Sequence, residues 1–170
     1  MEERFINLNS LIYESYMSKD LLKVQELLLE YQNIAVQYKG HWNYGNAIHV
    51  SNIFLGLIAV EENNIGKAKE YLINSGLIKG SPQINSFGPN MILAKVLLEK
   101  GETEVVLKYI DLSKKYWNFF VRFFYLRKWK KKIRNNQNPN FRSHLIYHLN
   151  SPKLIDINSL LLRTQHLNGN

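Results

Sequence analysis

An all-α fold is predicted by two observations along the chain: apolar residues recur at steps of three and four almost throughout the first two thirds, and period-two alternation is scarce. Phe5, Leu8, Ile12 and Tyr16 set the first helix. Ser18 to Asp20 breaks it and supplies the next N-cap. From Leu21 the run Leu21, Leu22, Val24, Leu27, Leu28, Tyr31, Ile34, Ala35 and Tyr38 forms one broad helix face. A third helix spans about 44–61, with Ile48, Ile53, Leu55, Leu57 and Ile58 inward, and Asn63-Asn64 reverses the chain. A fourth, 66–74, carries Ala68, Tyr71 and Leu72. The polar connection 76–88 follows, and Pro89 fits the first turn of a fifth helix because it has no N–H to leave unpaired there. That helix carries Met91, Ala94, Leu97 and Leu98 and ends at Gly101, and a sixth runs over about 103–116.

Length and composition agree with this reading. One domain suits 170 residues, and 45% apolar content is enough to offset chain entropy by burial. The absence of cysteine excludes disulfides, Cys-ligated metals and a thiol nucleophile. The acidic start Met1-Glu2-Glu3-Arg4 carries no signal-peptide pattern, and no run of apolar residues is long enough to span a bilayer, so a cytoplasmic setting without a membrane span is expected.

The helices come in look-alike pairs. Leu55-Gly56, Ala59, Asn63-Asn64, Ala68, Leu72 and Ser75 follow the spacing of a tetratricopeptide (TPR) repeat, in which a small residue on the first helix lets the second pack closely. Shifted by 38 residues the positions read Leu93-Ala94, Leu97, Gly101-Glu102, Val106, Ile110 and Ser113; 44 residues earlier they read Leu11-Ile12, Lys19-Asp20, Val24, Leu28 and Tyr31. Uneven offsets describe a short degenerate array: antiparallel helical hairpins in a TPR-like right-handed superhelix, or else a less regular bundle. The array covers 1–117, a basic aromatic helical extension or cap covers 118–148, and 149–170 is a tail.

The stretches Asn43-Tyr44-Gly45-Asn46-Ala47-Ile48-His49, Gly80 to Asn90 (Gly-Ser-Pro-Gln-Ile-Asn-Ser-Phe-Gly-Pro-Asn) and Leu97 to Glu102 resemble a family of small bacterial TPR-like proteins. Tyr116-Trp117, Trp129, Ile133, Pro139, Phe141 and Leu145-Ile146-Tyr147 continue the likeness, which covers roughly 40–147. The resemblance implies a fold and a bacterial cytoplasmic setting, and brings no activity. The aromatic run 118–126 departs from it.

Charge is unevenly placed. The chain has 22 Lys and Arg against 14 Asp and Glu, a net +8. No acid lies between Asp111 and Asp156, a window with eleven bases, so this segment is +11 and the remainder −3. Any anionic partner must be met there. Tyr116, Trp117, Phe119, Phe120, Phe123, Phe124, Tyr125 and Trp129 interleave with Arg127, Lys128, Lys130, Lys131, Lys132 and Arg134. That composition suits a cap closing the array, an acidic protein, a nucleic acid stacked on aromatics, or a membrane interface. Tyr116, Phe120, Phe123 and Phe124 share a helical face, which favours burial, with Trp129 as the hinge between the aromatic and basic halves.

No Walker, Gly-x-Gly-x-x-Gly or Gly-x-Ser-x-Gly motif occurs, and no carboxylate pair stands out as acid and base. His144 and His148 are four apart, but no Asp, Glu or Cys is near in sequence to complete a metal site, and no cofactor is expected. In a hairpin superhelix the first helix of each pair lines the concave side. Asn9, Tyr13 and Tyr16, then Met91, Lys95 and Glu99, are expected there, with Val50, Ile53, Leu57 and Val60 as its apolar middle. Alternatively the aromatic helix folds back and fills that groove. The expected function is a non-enzymatic protein–protein interaction module receiving a peptide or helix, with a regulatory, antitoxin or immunity role by analogy. Partner-binding residues would be Tyr13, Tyr16, Met91, Lys95 and Glu99 with Arg127, Lys128, Lys130, Lys131 and Lys132. The alternative is nucleic-acid binding through 127–134.

Overall fold

The computed structural model describes residues 1–147, Leu149 and Leu162. Among these, all regular structure is helical: α1 (Glu2–Met17), α2 (Leu21–Gln37), α3 (Tyr44–Glu61), α4 (Ile65–Gly76), α5 (Pro82–Phe87), α6 (Ile92–Glu99), α7 (Thr103–Ser113), α8 (Phe119–Arg134) and a 3₁₀ turn, Arg142–Leu145. The tail 149–170 falls, apart from Leu149 and Leu162, outside the described residues.

One turn recurs at the offsets read from the sequence. Lys19, Asn63 and Gly101 all take left-handed backbone, with φ of 65°, 57° and 83°. The N–H of the following residue donates to a carbonyl five residues back, Asp20 to Ser15 at 3.1 Å, Asn64 to Ala59 at 2.8 Å and Glu102 to Leu97 at 2.9 Å. This bond satisfies the carbonyls that a helix end leaves open, as in a Schellman motif. Asp20 and Asn64 then cap the next helix, accepting from Lys23 N and Lys67 N at 3.0 and 3.1 Å. A fourth copy ends α8, where Asn136 has φ 54° and Gln137 N donates to Lys132 O at 2.9 Å. Each reversal is therefore closed by its own local backbone hydrogen bond.

These turns make three hairpins, α1–α2, α3–α4 and α6–α7, and neighbouring hairpins pack through α2 on α3, α3 on α6 and α4 on both α6 and α7. Gly56 was expected to admit its own hairpin partner. It instead faces the next hairpin: a Cβ there would lie 2.2 Å from Leu93 Cδ2 on α6. The polar connection after α4 is not a plain loop. Ser81 accepts from Ile84 N at 3.1 Å and Pro82 opens the short α5, which buries Ile84. Pro89 stands ahead of α6 and not in its first turn, because the helix begins at Ile92 and Asn90 Oδ1 takes the Ile92 N–H at 2.9 Å.

Asn90 is fully buried and joins four parts of the chain. Its N–H donates to His49 Nε2 on α3 at 3.0 Å, and its carbonyl accepts from Tyr109 Oη on α7 at 2.7 Å. Its amide nitrogen donates to Leu145 O at 3.2 Å and Tyr147 O at 2.8 Å in the C-terminal turn. Because His49 Nε2 accepts, the ring hydrogen sits on Nδ1, which donates to Ser75 O on α4 at 2.9 Å. Burial raises the Tyr109 pKa well above its ordinary value, keeping the phenol a donor.

Two stability outcomes follow. At Gly101 no atom crowds the missing Cβ, so only backbone conformation is at stake; Gly101→Ala should lower stability by about 1 kcal/mol and Lys19→Gly raise it by up to about 1 kcal/mol in urea unfolding. Asn90→Ala strands the buried Leu145 carbonyl, the part-buried Tyr147 carbonyl and the Ile92 N–H, and should cost roughly 2–5 kcal/mol by the same measurement.

Candidate functional site: the basic aromatic helix

Asn118 starts α8 by accepting from Phe120 N at 3.1 Å, and Lys131, Lys132 and Arg134 in the last turn complement the helix dipole. Leu126, Trp129 and Ile133, spaced by three and four, are its buried stripe. Trp129 lies 5.8 Å from Trp117 in a stacked pair and meets Phe141 and His144 edge-on at 5.1 and 4.9 Å. Gly88, at φ 85°, lets the chain pass Trp117, since a Cβ would come within 2.5 Å of the indole. Trp129, expected as the hinge between the aromatic and basic halves, is buried in this packed cluster.

The expected burial of the phenylalanine face is overturned. Tyr116 is buried, but it precedes α8 and lies on another course of the chain. Phe119, Phe120, Phe123 and Phe124 are 60%, 79%, 50% and 73% exposed. The reason is geometric: the inward stripe passes through 126, 129 and 133, which leaves 120 and 124 on the opposite side of a 3.6-residue helix.

Phe119, Phe123 and Phe124 form part of two grooves flanking α8, and Phe120 lines neither. The first, about 570 Å³, has an apolar floor of Phe119, Phe123 and Leu126 and a rim of Lys114, Arg122, Arg127, Lys130, Lys131 and Arg134. The guanidinium of Arg122 lies 5.2 Å above the Phe119 ring and that of Arg127 5.9 Å above Phe123. The second, about 520 Å³, includes Phe124, Tyr125, Lys128, Trp129, Lys132 and Arg142. Together they gather cations, ring faces and apolar floor, the means of recognising an amphipathic anionic surface.

The ten residues singled out in the sequence divide sharply. Arg127, Lys128 and Lys131 are exposed on α8, with Lys132 half-buried beside them. Lys130 is turned inward to Asp111 on α7, at 2.7 and 2.8 Å, and only part of it reaches the groove. Tyr13, Tyr16 and Met91 are core residues and not members of an open surface, as are Val50, Ile53, Leu57 and Val60. Tyr16, for example, packs edge-on against Phe54 of α3 at 5.4 Å. Lys95 and Glu99 pair with each other along α6. Of the expected concave face, Asn9, Tyr13, Tyr16, Met91 and the apolar middle are buried, whereas Lys95 is half-buried and Glu99 exposed, and α8 packs on α7. His144 is buried among Trp117, Tyr125, Trp129 and Tyr147, His148 lies outside the described residues, and no metal-binding cluster occurs among the described residues. Unanticipated is an outer ridge on α2, where Leu22, Leu29 and Val36, seven apart, are exposed; the heptad interval was its only sequence signal.

No family model, curated protein or solved structure matches this chain.

Partial burial raises the Asp111 pKa, but hydrogen bonds and charge from Lys114 and Lys130 outweigh it and hold the pKa below the usual aspartate value. A depressed folded-state pKa means that the α7–α8 link contributes stability above the unfolded value, about pH 4, and loses it as pH falls through the folded value. Wild type should therefore exceed Asp111→Asn in thermal midpoint at pH 6, and the difference should shrink on acidification below about pH 4.

Proposed function

We propose that the protein is a non-enzymatic interaction module of TPR-like type, a right-handed stack of hairpins acting in the bacterial cytoplasm, whose docking element is α8. The supporting observation is the first α8 groove, lined by three apolar residues and six cationic side chains, of which Lys114 and Lys130 are paired with Asp111. The ligand that complements it is a protein segment with apolar anchors flanked by carboxylates. Apolar side chains would cover Phe119, Phe123 and Leu126, and acids would meet the rim. This reading moves the docking site from the inner helices, where Tyr13, Tyr16 and Met91 are buried, to α8.

A regulatory, antitoxin or immunity role, drawn by analogy, would use such a groove for stoichiometric capture of a partner. A nucleic acid is the second reading, favoured by the acid-free basic segment that contains α8. The two differ in salt response: phosphate contacts give a steep linear fall of log affinity with log salt, whereas an apolar floor retains part of the affinity.

Capture of interacting proteins from the native cell, with a photo-crosslinker at position 123, should give one defined protein at near-equal amounts. The double variant Phe119→Ser, Arg134→Glu should lose it, and Leu29→Ser on the α2 ridge should retain it. Repeated capture that returns no defined protein, or one indifferent to the groove variant, would refute the reading.

A further inference from the structure

We infer that the outer ridge of α8 seats the protein on an anionic lipid surface, with Phe120 and Phe124 entering the interface and Arg127, Lys128 and Lys131 meeting headgroup phosphates. Phe120 and Phe124 are the two most exposed phenylalanines, and their spacing of four puts them on one line of the helix. Unlike Phe119 and Phe123, Phe120 lines neither groove, whereas Phe124 lines the second, and two rings this exposed on one line of the helix can enter a deformable apolar medium.

The order of side chains along the helix carries the assignment further. Aromatic residues occupy the N-terminal half of the ridge and cations the C-terminal half. Seven residues separate Phe120 from Arg127, about 10 Å at the helical rise, which compares with the roughly 5–10 Å to which interfacial helices bury their apolar face. A helix tilted with its start toward the bilayer would place rings below, and cations at, the phosphate level. No acid between Asp111 and Asp156 opposes approach to anionic lipid, and Asp111 is itself held by Lys114 and Lys130. No described helix is long and apolar enough to cross a membrane, so the attachment is peripheral.

Nucleic acid is the competing occupant. Base stacking needs open ring faces, yet Phe119 with Phe120 and Phe123 with Phe124 form edge-to-face pairs at 5.8 and 5.7 Å. Arg122 and Arg127 further cover Phe119 and Phe123. Lipid insertion uses the rings' apolar area and tolerates that packing.

The test is co-sedimentation of the full chain with vesicles of phosphatidylcholine alone, or with about one third phosphatidylglycerol. Wild type should bind the anionic vesicles, and Arg127→Ala, Lys128→Ala, Lys131→Ala together should weaken binding about a hundredfold. Phe120→Ser with Phe124→Ser should weaken it about tenfold or more. Helicity and thermal midpoint should be unchanged in both, since these side chains are exposed. Absence of binding to anionic vesicles overturns the proposal. So does binding indifferent to the phenylalanine pair, which would mean counterion attraction alone. Phenylalanine-dependent binding of a thymidine oligonucleotide without vesicle binding reassigns the ridge to nucleic acid. The protein-docking reading is tested by a groove variant that spares Phe120 and Phe124, so either can fail while the other stands.

Discussion

The hydrogen bonds of one buried asparagine hold the middle of this molecule together. Asn90 uses its N–H, its carbonyl and its whole amide to bond α3, α7, the start of α6 and the C-terminal turn. His49 extends the network to α4 through Ser75. Met91 N adds a bond to His144 O at 2.7 Å, so the same short segment clamps the turn after α8 from both sides. A buried network of this kind is favourable only when its members are satisfied, and here each polar group of Asn90 has a partner. Its value lies in registry: a helical hairpin can slide against a neighbour with little loss of apolar contact, but not with loss of these bonds.

A second polar network secures the start of α3, about one turn before His49. Asn46 donates to Asn43 at 3.0 Å and to Gln83 at 3.2 Å, and accepts from Ser81 at 2.5 Å. Asn43 reaches Tyr31 on α2 at 3.2 Å and Phe5 O on α1 at 3.3 Å. Gly45 allows the approach, since a Cβ there would sit 2.1 Å from Gly80 O. The connection between the second and third hairpins is thus bonded to α3 at Ser81, Gln83 and Asn90, so the polar loop is tied down near both ends. Its end at Gly88 receives Trp117, which brings the cap and α8 into place.

How much of this could be read from sequence follows from the range of the forces involved. The turns at Lys19-Asp20, Asn63-Asn64 and Gly101-Glu102 are local, and their residues announced both the reversals and the repeat offsets. The inner stripe of α1 and α2 was legible by periodicity, although Leu22 is exposed. Which hairpin faces which was not: Gly56 is equally suited to its own partner and to Leu93, and only tertiary packing chooses. The same limit explains Tyr13, Tyr16 and Met91, whose place on a first helix says nothing about whether the groove is open or filled. For α8 the error was one of phase. Counting from Tyr116 treated it as part of the helix, whereas Asn118 starts the helix and Leu126, Trp129 and Ile133 define its inward side. The uneven charge distribution was visible outright, because it requires no geometry.

That phase has a physical consequence for the surface. Turning α8 to bury two tryptophan contacts and Ile133 leaves four phenylalanines in water, a local arrangement that would favour self-association if uncharged. Dense positive charge on the same helix opposes that outcome, because two copies approaching through α8 bring like charges together. The cations and the rings are therefore complementary parts of one arrangement: charge keeps copies of the chain apart while leaving the apolar ridge open to a surface of opposite sign. Lys130 marks the boundary between the two duties. By turning to Asp111 it fixes α8 on α7, and this anchor lets the remaining bases face outward without loosening the cap.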